Sequence, residues 1–234
     1  DNAFVPNPNG TIYALYLDGT TLYVGGSFTQ ISHQTKRNLA SVNAATAALN
    51  SWNPNPDGTI ASITKSGNNV YVGGSFNTIA NRNIPNLAVI SATTASASQF
   101  SSVNSEVNVL TQDADNIYVG GQFSGHQGLF TGSSSLFISG SDVPDFNHPM
   151  LSGQILASIP DGSGGWYLGG QITAGSFQNL VHILPNQTLD PTFAPNPNST
   201  INCLYLDGTT LYAGGSFTQI SSQTQRNLAA LNTS

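Results

Sequence analysis

The stretch "LYVGGSFTQIS" at residues 22–32 returns as "LYAGGSFTQIS" at residues 211–221. Between these two, its glycine pair recurs at Gly25-Gly26, Gly73-Gly74, Gly120-Gly121, Gly169-Gly170 and Gly214-Gly215, in steps of 48, 47, 49 and 45 residues. A tyrosine stands two residues ahead of each pair: Tyr23, Tyr71, Tyr118, Tyr167 and Tyr212. A second column is aromatic, Phe4, Trp52, Phe100, Phe146 and Phe193, in steps of 46 to 48. Five copies of about 47 residues therefore account for the whole chain of 234, and a fixed period of this size is the mark of a repeat architecture.

Each copy reads as four short strands. The first is "TIYALYL" in copy one and "TINCLYL" in copy five, and it ends at a turn signal, Asp18-Gly19 or Asp207-Gly208, of a kind that favours positive φ. The second carries the glycine pair, a loop of about ten residues follows, and the third is "LASVNAA" or "LAVISAT". The expected fourth carries the aromatic and stops at prolines, as in "SWNPNPDG", since proline cannot donate to a strand ladder. Four strands every 40 to 50 residues, with no helical periodicity, predict an all-β, five-bladed β-propeller of four-stranded antiparallel blades forming one domain over 1–234. One first-strand column reads Ala14, Ser62, Val109, Ser158, Cys203. Its small residues suit crowding near a central axis and predict Cys203 as a small buried hydrophobe. The glycine pairs are expected to let a neighbouring blade's tyrosine or phenylalanine lie flat on the sheet. A phosphate cradle is excluded because no helix and no Lys-Ser/Thr follows.

"LYVGGSF" at this period resembles kelch-type propeller repeats. It is still more similar to the "YVGGxF…NLA" repeats of secreted bacterial and fungal cell-surface propellers, and the resemblance runs the length of the chain. It implies a propeller scaffold used for binding.

The ends match because residues 1–45 align with 190–234 without a gap, and 32 of the 45 positions are identical. The chain opens with "DNAFVPNP" and closes after a third strand. Residues 1–8 are thus expected to pair into the C-terminal blade, closing the ring and removing an exposed edge. Two alternatives stay open: donation of that strand to a neighbouring molecule, and a slice of a longer tandem array.

Charged residues are 7% of the chain, against roughly 25% in an ordinary soluble domain, with Asn, Ser, Thr, Gly and Gln in their place. The net charge of -6 argues against a nucleic-acid surface. The single cysteine excludes a disulfide framework and a cysteine-rich metal site. No run of 18 apolar residues exists, so membrane insertion through a helix is not expected. Sparse lysine with abundant Asn, Ser and Thr points to an extracellular or cell-surface location. Sequons stand at Asn9, Asn186, Asn198 and Asn232.

In a propeller the second-to-third loops share one face. Lys36, Arg37, Arg82 and Arg226 fall there, whereas Asp18, Asp115, Asp161 and Asp207 fall in first-to-second turns, where aspartate is favoured for its local hydrogen bonds. Copies three and four break the pattern with "SGHQGLFTGSSS", "TAGSFQN" and "FNHPMLSGQ". Departures from a repeat are where a site is built. His126, Phe130, His148 and Met150, with Arg37 and Arg82 on the basic loops, are the candidate ligand-binding residues: a stacking ring, imidazoles and a polar rim. Two histidines lack a third ligand for zinc even with Asp142 and Asp145 nearby. Asp113, Asp115 and Asn116 lack the distal Glu of a calcium loop. No metal, cofactor or catalytic residue is assigned. One glutamate, Glu106, and aspartates in turns give a glycosidase no carboxylate pair, and no G-x-S-x-G elbow appears. The expectation is a non-catalytic adhesion module recognising a glycan or cell-surface protein. Alternatives are a self-associating structural subunit of a surface layer, stalk or filament and, weakest, a polysaccharide-active enzyme.

Overall fold

The computed structural model describes residues 4–98, 102–114, 116–126, 129–139, 141, 143–145 and 147–233. Phe100 and Phe146 of the aromatic column, and Asp115 and Asp142, lie outside them. All regular structure among the described residues is β-strand. The chain divides into two compact units, Asp1–Leu110 and Thr111–Ser234.

Unit 1 holds two antiparallel sheets. One is formed by Thr11–Asp18, Thr21–Ser27 and Leu39–Asn43, the other by Thr59–Ser66, Asn69–Ser75 and Leu87–Ser91, with the glycine-bearing strand central in both. The third sheet begins with Val107–Asp113, within which the boundary between units falls, and continues in unit 2 with Asn116–Gly121 and Ser134–Ile138. Unit 2 adds Ser152–Pro160, Trp166–Ala174 and Phe177–Ile183, and then Ile201–Asp207, Thr210–Gly215 and Leu228–Asn232. A two-residue turn joins the first two strands where Gly19, Gly67 and Gly208 take φ of 56°, 55° and 55°, as the Asp-Gly signals at 18–19 and 207–208 require and as Ser66-Gly67 repeats.

Among the described residues each of these sheets has three strands, not the expected four. The fourth is reduced to single bridges, Val42 to Leu49, Ile90 to Ala97, Phe137 to Pro144 and Ile183 to Leu189. Prolines remove the donors a ladder needs, and Asn7, Asn55 and Asn196 turn the chain out of the extended region at φ of 41°, 48° and 41°. A hairpin in the second-to-third loop holds this segment instead. The carbonyls of Pro6, Pro54 and Pro195 accept from the backbone N–H of Ser32, Ala80 and Ser221 at 2.6 to 2.7 Å. Residues 4–8 accordingly form no strand. Phe4 packs on the unit 1 core of Val24, Phe28, Ile31, Ala40 and Val42.

The aromatic column closes onto the tyrosine of the preceding repeat. Tyr23 meets Trp52 edge-on at 5.1 Å, and Tyr167 meets Phe193 at 5.1 Å. Trp52 also donates its indole N–H to Ser91 O at 2.9 Å. The first glycine of each pair lies under an aliphatic side chain, not the expected ring. A Cβ on Gly25 would collide with Ile60, on Gly73 with Val107 and on Gly169 with Ile201, each from the first strand of the next repeat. The second glycine faces its own first strand, where Gly26, Gly74, Gly170 and Gly215 abut the carbonyls of Thr11, Thr59, Gln154 and Thr200.

The small-residue column shifts in repeat four. Gly169 pairs with Ala157 rather than Ser158, because the turn Asp161–Gly165 is longer there. Cys203 is exposed rather than buried. Lys36 does not contribute to a basic face either. It is buried, and its ammonium donates to the carbonyls of Asn50, Ser51 and Trp52 at 3.3, 3.2 and 3.0 Å. That segment lacks ladder partners, so a cation satisfies what a fourth strand would have.

Two sequon asparagines brace the same loop in different repeats. Asn9 Oδ1 accepts from the N–H of Thr29 and Gln30, both at 2.9 Å, and its amide donates to Thr29 Oγ1. Asn198 repeats this with Thr218 and Gln219. In repeat two Asp57 takes the place, accepting from Asn77 and Thr78. Burial pushes its carboxyl up, but those N–H groups outweigh it and hold the pKa below the usual carboxylate range.

Candidate ligand-binding site

Ser134 in repeat three pairs with Gly120, where Leu39, Leu87, Leu180 and Leu228 pair with the glycines of the other repeats. Trading leucine for serine in a buried column removes three carbons and adds a hydroxyl that must be satisfied. His148 satisfies it: its Nε2 lies 2.8 Å from Ser134 Oγ, and its Nδ1 lies 3.1 Å from Gln187 Oε1. With that amide oxygen as acceptor, Nδ1 carries the proton and Nε2 accepts from the serine hydroxyl. The imidazole lies edge-on to Tyr118 at 5.5 Å, and Tyr118 stacks on Trp166.

The space left by the missing leucine opens as a pocket of about 240 Å³ lined by Phe130, Thr131, Ser134, Ser135, Asp145, His148 and Met150. Phe130 and Met150 are exposed, and they also line an adjoining pocket of about 390 Å³ with Phe123, Leu151 and neighbouring backbone. They form an apolar ridge between two hollows. The Ser135 hydroxyl is fully buried and has no hydrogen-bond partner among the described residues.

Burial lowers the His148 pKa to about 4, outweighing the opposing pull of Gln187 and Asp145. Burial likewise pushes the Tyr118 phenol far up, against the Ser134 hydroxyl. The ring is therefore neutral at pH 7, and Asp145 is the one acidic side chain among the described residues of the pocket wall. Ser134 and His148 stand at a nucleophile–base distance. However, burial weakens the base, its orienting partner is an amide, and Asp145 is the one carboxylate among the described lining residues. The arrangement offers a ligand hydrogen bonding and ring stacking.

Of the residues predicted for the site, Phe130, His148 and Met150 come together. His126 does not join them: it is buried against Phe137 at 5.2 Å, because it sits across the small hairpin from Leu129. Arg37 and Arg82 belong to unit 1. Arg37 is exposed, and Arg82 donates to Ala97 O at 3.0 Å. Ser134, Ser135 and Gln187 were not anticipated. Ser134 breaks the leucine column, which shows only once the strands are in register, whereas Gln187, 39 residues from His148, left no local signal.

A second polar cluster also escaped sequence reasoning. His182 stands between Asp190 Oδ2, 2.9 Å from Nδ1, and Asp161 Oδ2, 3.1 Å from Nε2, and it stacks on Tyr167 at 4.2 Å. Burial pushes the Asp190 carboxyl up, but Thr192 and His182 outweigh it and bring the pKa to about 2. Both imidazole nitrogens are occupied. The cluster ties the long turn of repeat four to its third strand. Among the described residues no group of three or more His, Cys, Asp or Glu is arranged to hold a metal, and no helix is long and apolar enough to cross a membrane.

No protein-family model matches the sequence, and no curated protein matches it. Among solved structures, the chain is similar to the computationally designed Ika4 protein at 14% identity and a TM-score of 0.50, covering 75% of this chain and 92% of that one. It is also similar to the WD40 beta propeller domain of Doa1 at 8% identity and a TM-score of 0.55, covering 91% of this chain and 64% of that one. At such identities the likeness is one of fold, and the fold of this all-β chain is of the β-propeller type.

Proposed function

We propose that this chain is a non-catalytic, extracellular binding module whose five repeats are five propeller blades, and that it recognises a glycan through the pocket of repeat three. The observation that carries the reading is the exchange of a buried leucine for Ser134. It opens a hollow lined by a stacking ring, a thioether and a neutral imidazole. Sugars are read by ring stacking and neutral hydrogen bonds, and a wall bearing one carboxylate disfavours anions. The kelch-like, YVGGxF resemblance supports the same use of the scaffold. On a polysaccharide array, the Phe130→Ala and Met150→Ala variants should bind roughly tenfold more weakly than the parent chain. Both side chains are exposed, so folding is unaffected. Absence of any glycan signal from the parent, with retention of a cell-surface protein, would transfer the pocket to a protein ligand.

A second reading, a structural subunit assembled through its faces, is favoured by the exposed apolar side chains of the first and last sheets.

A further inference from the structure

Within each unit, one side of a sheet is covered by the first strand of the next repeat. In unit 1 Ile60 and Ile63 lie over Gly25, the Tyr16 hydroxyl donates to Lys65 O at 3.2 Å, and Lys65 pairs with Asp18 at 2.8 Å. In unit 2 Ile201 and Leu204 lie over Gly169. The covered positions are nearly dry: Leu39, Leu87 and Leu180 are 0% exposed, and Tyr23, Tyr71 and Tyr167 are at most 4% exposed.

The last sheet presents the same side uncovered. Leu228 is 64% exposed and Tyr212 40%, and the position above Gly214 is met only by the sheet's own Cys203 and Asn227. The first sheet presents the complementary side uncovered. Leu15 is 62% exposed and Leu17 61%, whereas Ile63 and Leu110, at the position of Leu15, are 6% exposed. Ile12 is half-buried, where Ile60, Val107, Ile155 and Ile201 are 0% exposed.

Resting on the second reading above, we propose that the open side of the last sheet is a docking surface for the first sheet of a second copy of this chain. The internal junctions supply the template. The last repeat matches the first at 32 of 45 positions, including the tyrosine, both glycines and the leucine that form the seat. Ile12 and Leu15 are the side chains that such a seat holds elsewhere in the molecule. Because the two surfaces differ, the contact is head-to-tail, and it propagates unless a ring of chains closes.

Sedimentation of the whole chain from micromolar to submillimolar concentration tests this. The expected result is association above the 24.4 kDa monomer, weakened roughly tenfold or more by Leu15→Asp or by Leu228→Asp. Both replaced side chains are exposed, so neither substitution disturbs a core. Each variant spoils one surface and keeps the other, so an equimolar mixture of the two should stop at a dimer. Bulky maleimide on the exposed Cys203 should cap the same surface without any mutation. Association that neither variant nor the label weakens would overturn the assigned interface while leaving self-assembly standing. A strict monomer at every concentration would overturn both.

Discussion

Gly73→Val is expected to destabilise the chain by roughly 3 kcal/mol, whereas Gly214→Val in dilute protein should change stability by less than about 1 kcal/mol. The two glycines occupy the same place in their repeats. Over Gly73 lie the Cγ1 and Cβ of Val107, a short branched side chain that is 0% exposed and cannot swing aside. New methyl groups there force the first strand of the next repeat away from the sheet. Over Gly214 lies Cys203 Sγ, 2.6 Å from the position of an added Cβ, but this thiol is exposed and free to rotate. The intrinsic preference of valine for strands offsets at most about 1 kcal/mol at either place. Urea denaturation of the two variants checks the contrast, and equal losses would refute the packing account of the glycine pairs.

The second large effect is on pH. His148 is neutral in the folded chain, with a pKa of about 4, against about 6.5 when unfolded. Between these values the unfolded state binds more protons, so stability falls as the pH drops from 6.5 to 4, by about 3 kcal/mol in all. His148→Gln should flatten that window. It leaves the next one, below pH 4, where Asp190 loses its contribution as the pH falls from its ordinary value towards about 2. Thermal melts at half-unit pH steps separate the two. A slope between pH 6.5 and 4 that survives in His148→Gln would show that another group carries the acid sensitivity.

The repeat, its period and the strand-turn-strand core were legible because glycine pairs, tyrosines and Asp-Gly turns each answer to a local geometric demand. The fourth strand was misread for an equally local reason. A segment flanked by prolines and a left-handed asparagine runs extended without joining a ladder, and alternation alone does not distinguish the two. The ligand pocket was half legible. Irregular loops pointed to Phe130, His148 and Met150, but the pocket exists because Ser134 interrupts a column that becomes visible only once strands are in register. His126 looked equivalent to His148 in sequence, yet a hairpin turns it inward. Size alone points Cys203 to the core, yet it is exposed.

The loop brace shared by Asn9, Asp57 and Asn198 bears on how this chain can be manufactured. The amide nitrogen that an oligosaccharyltransferase would modify at Asn9 and Asn198 already donates to a threonine hydroxyl, so a sugar added there displaces part of the brace. Repeat two shows that a carboxylate does the bracing with its oxygen alone. Asn9→Asp and Asn198→Asp should therefore close these two of the four sequons to a eukaryotic secretory host, with an unchanged melting temperature. Calorimetry alongside intact mass would read both properties from one preparation.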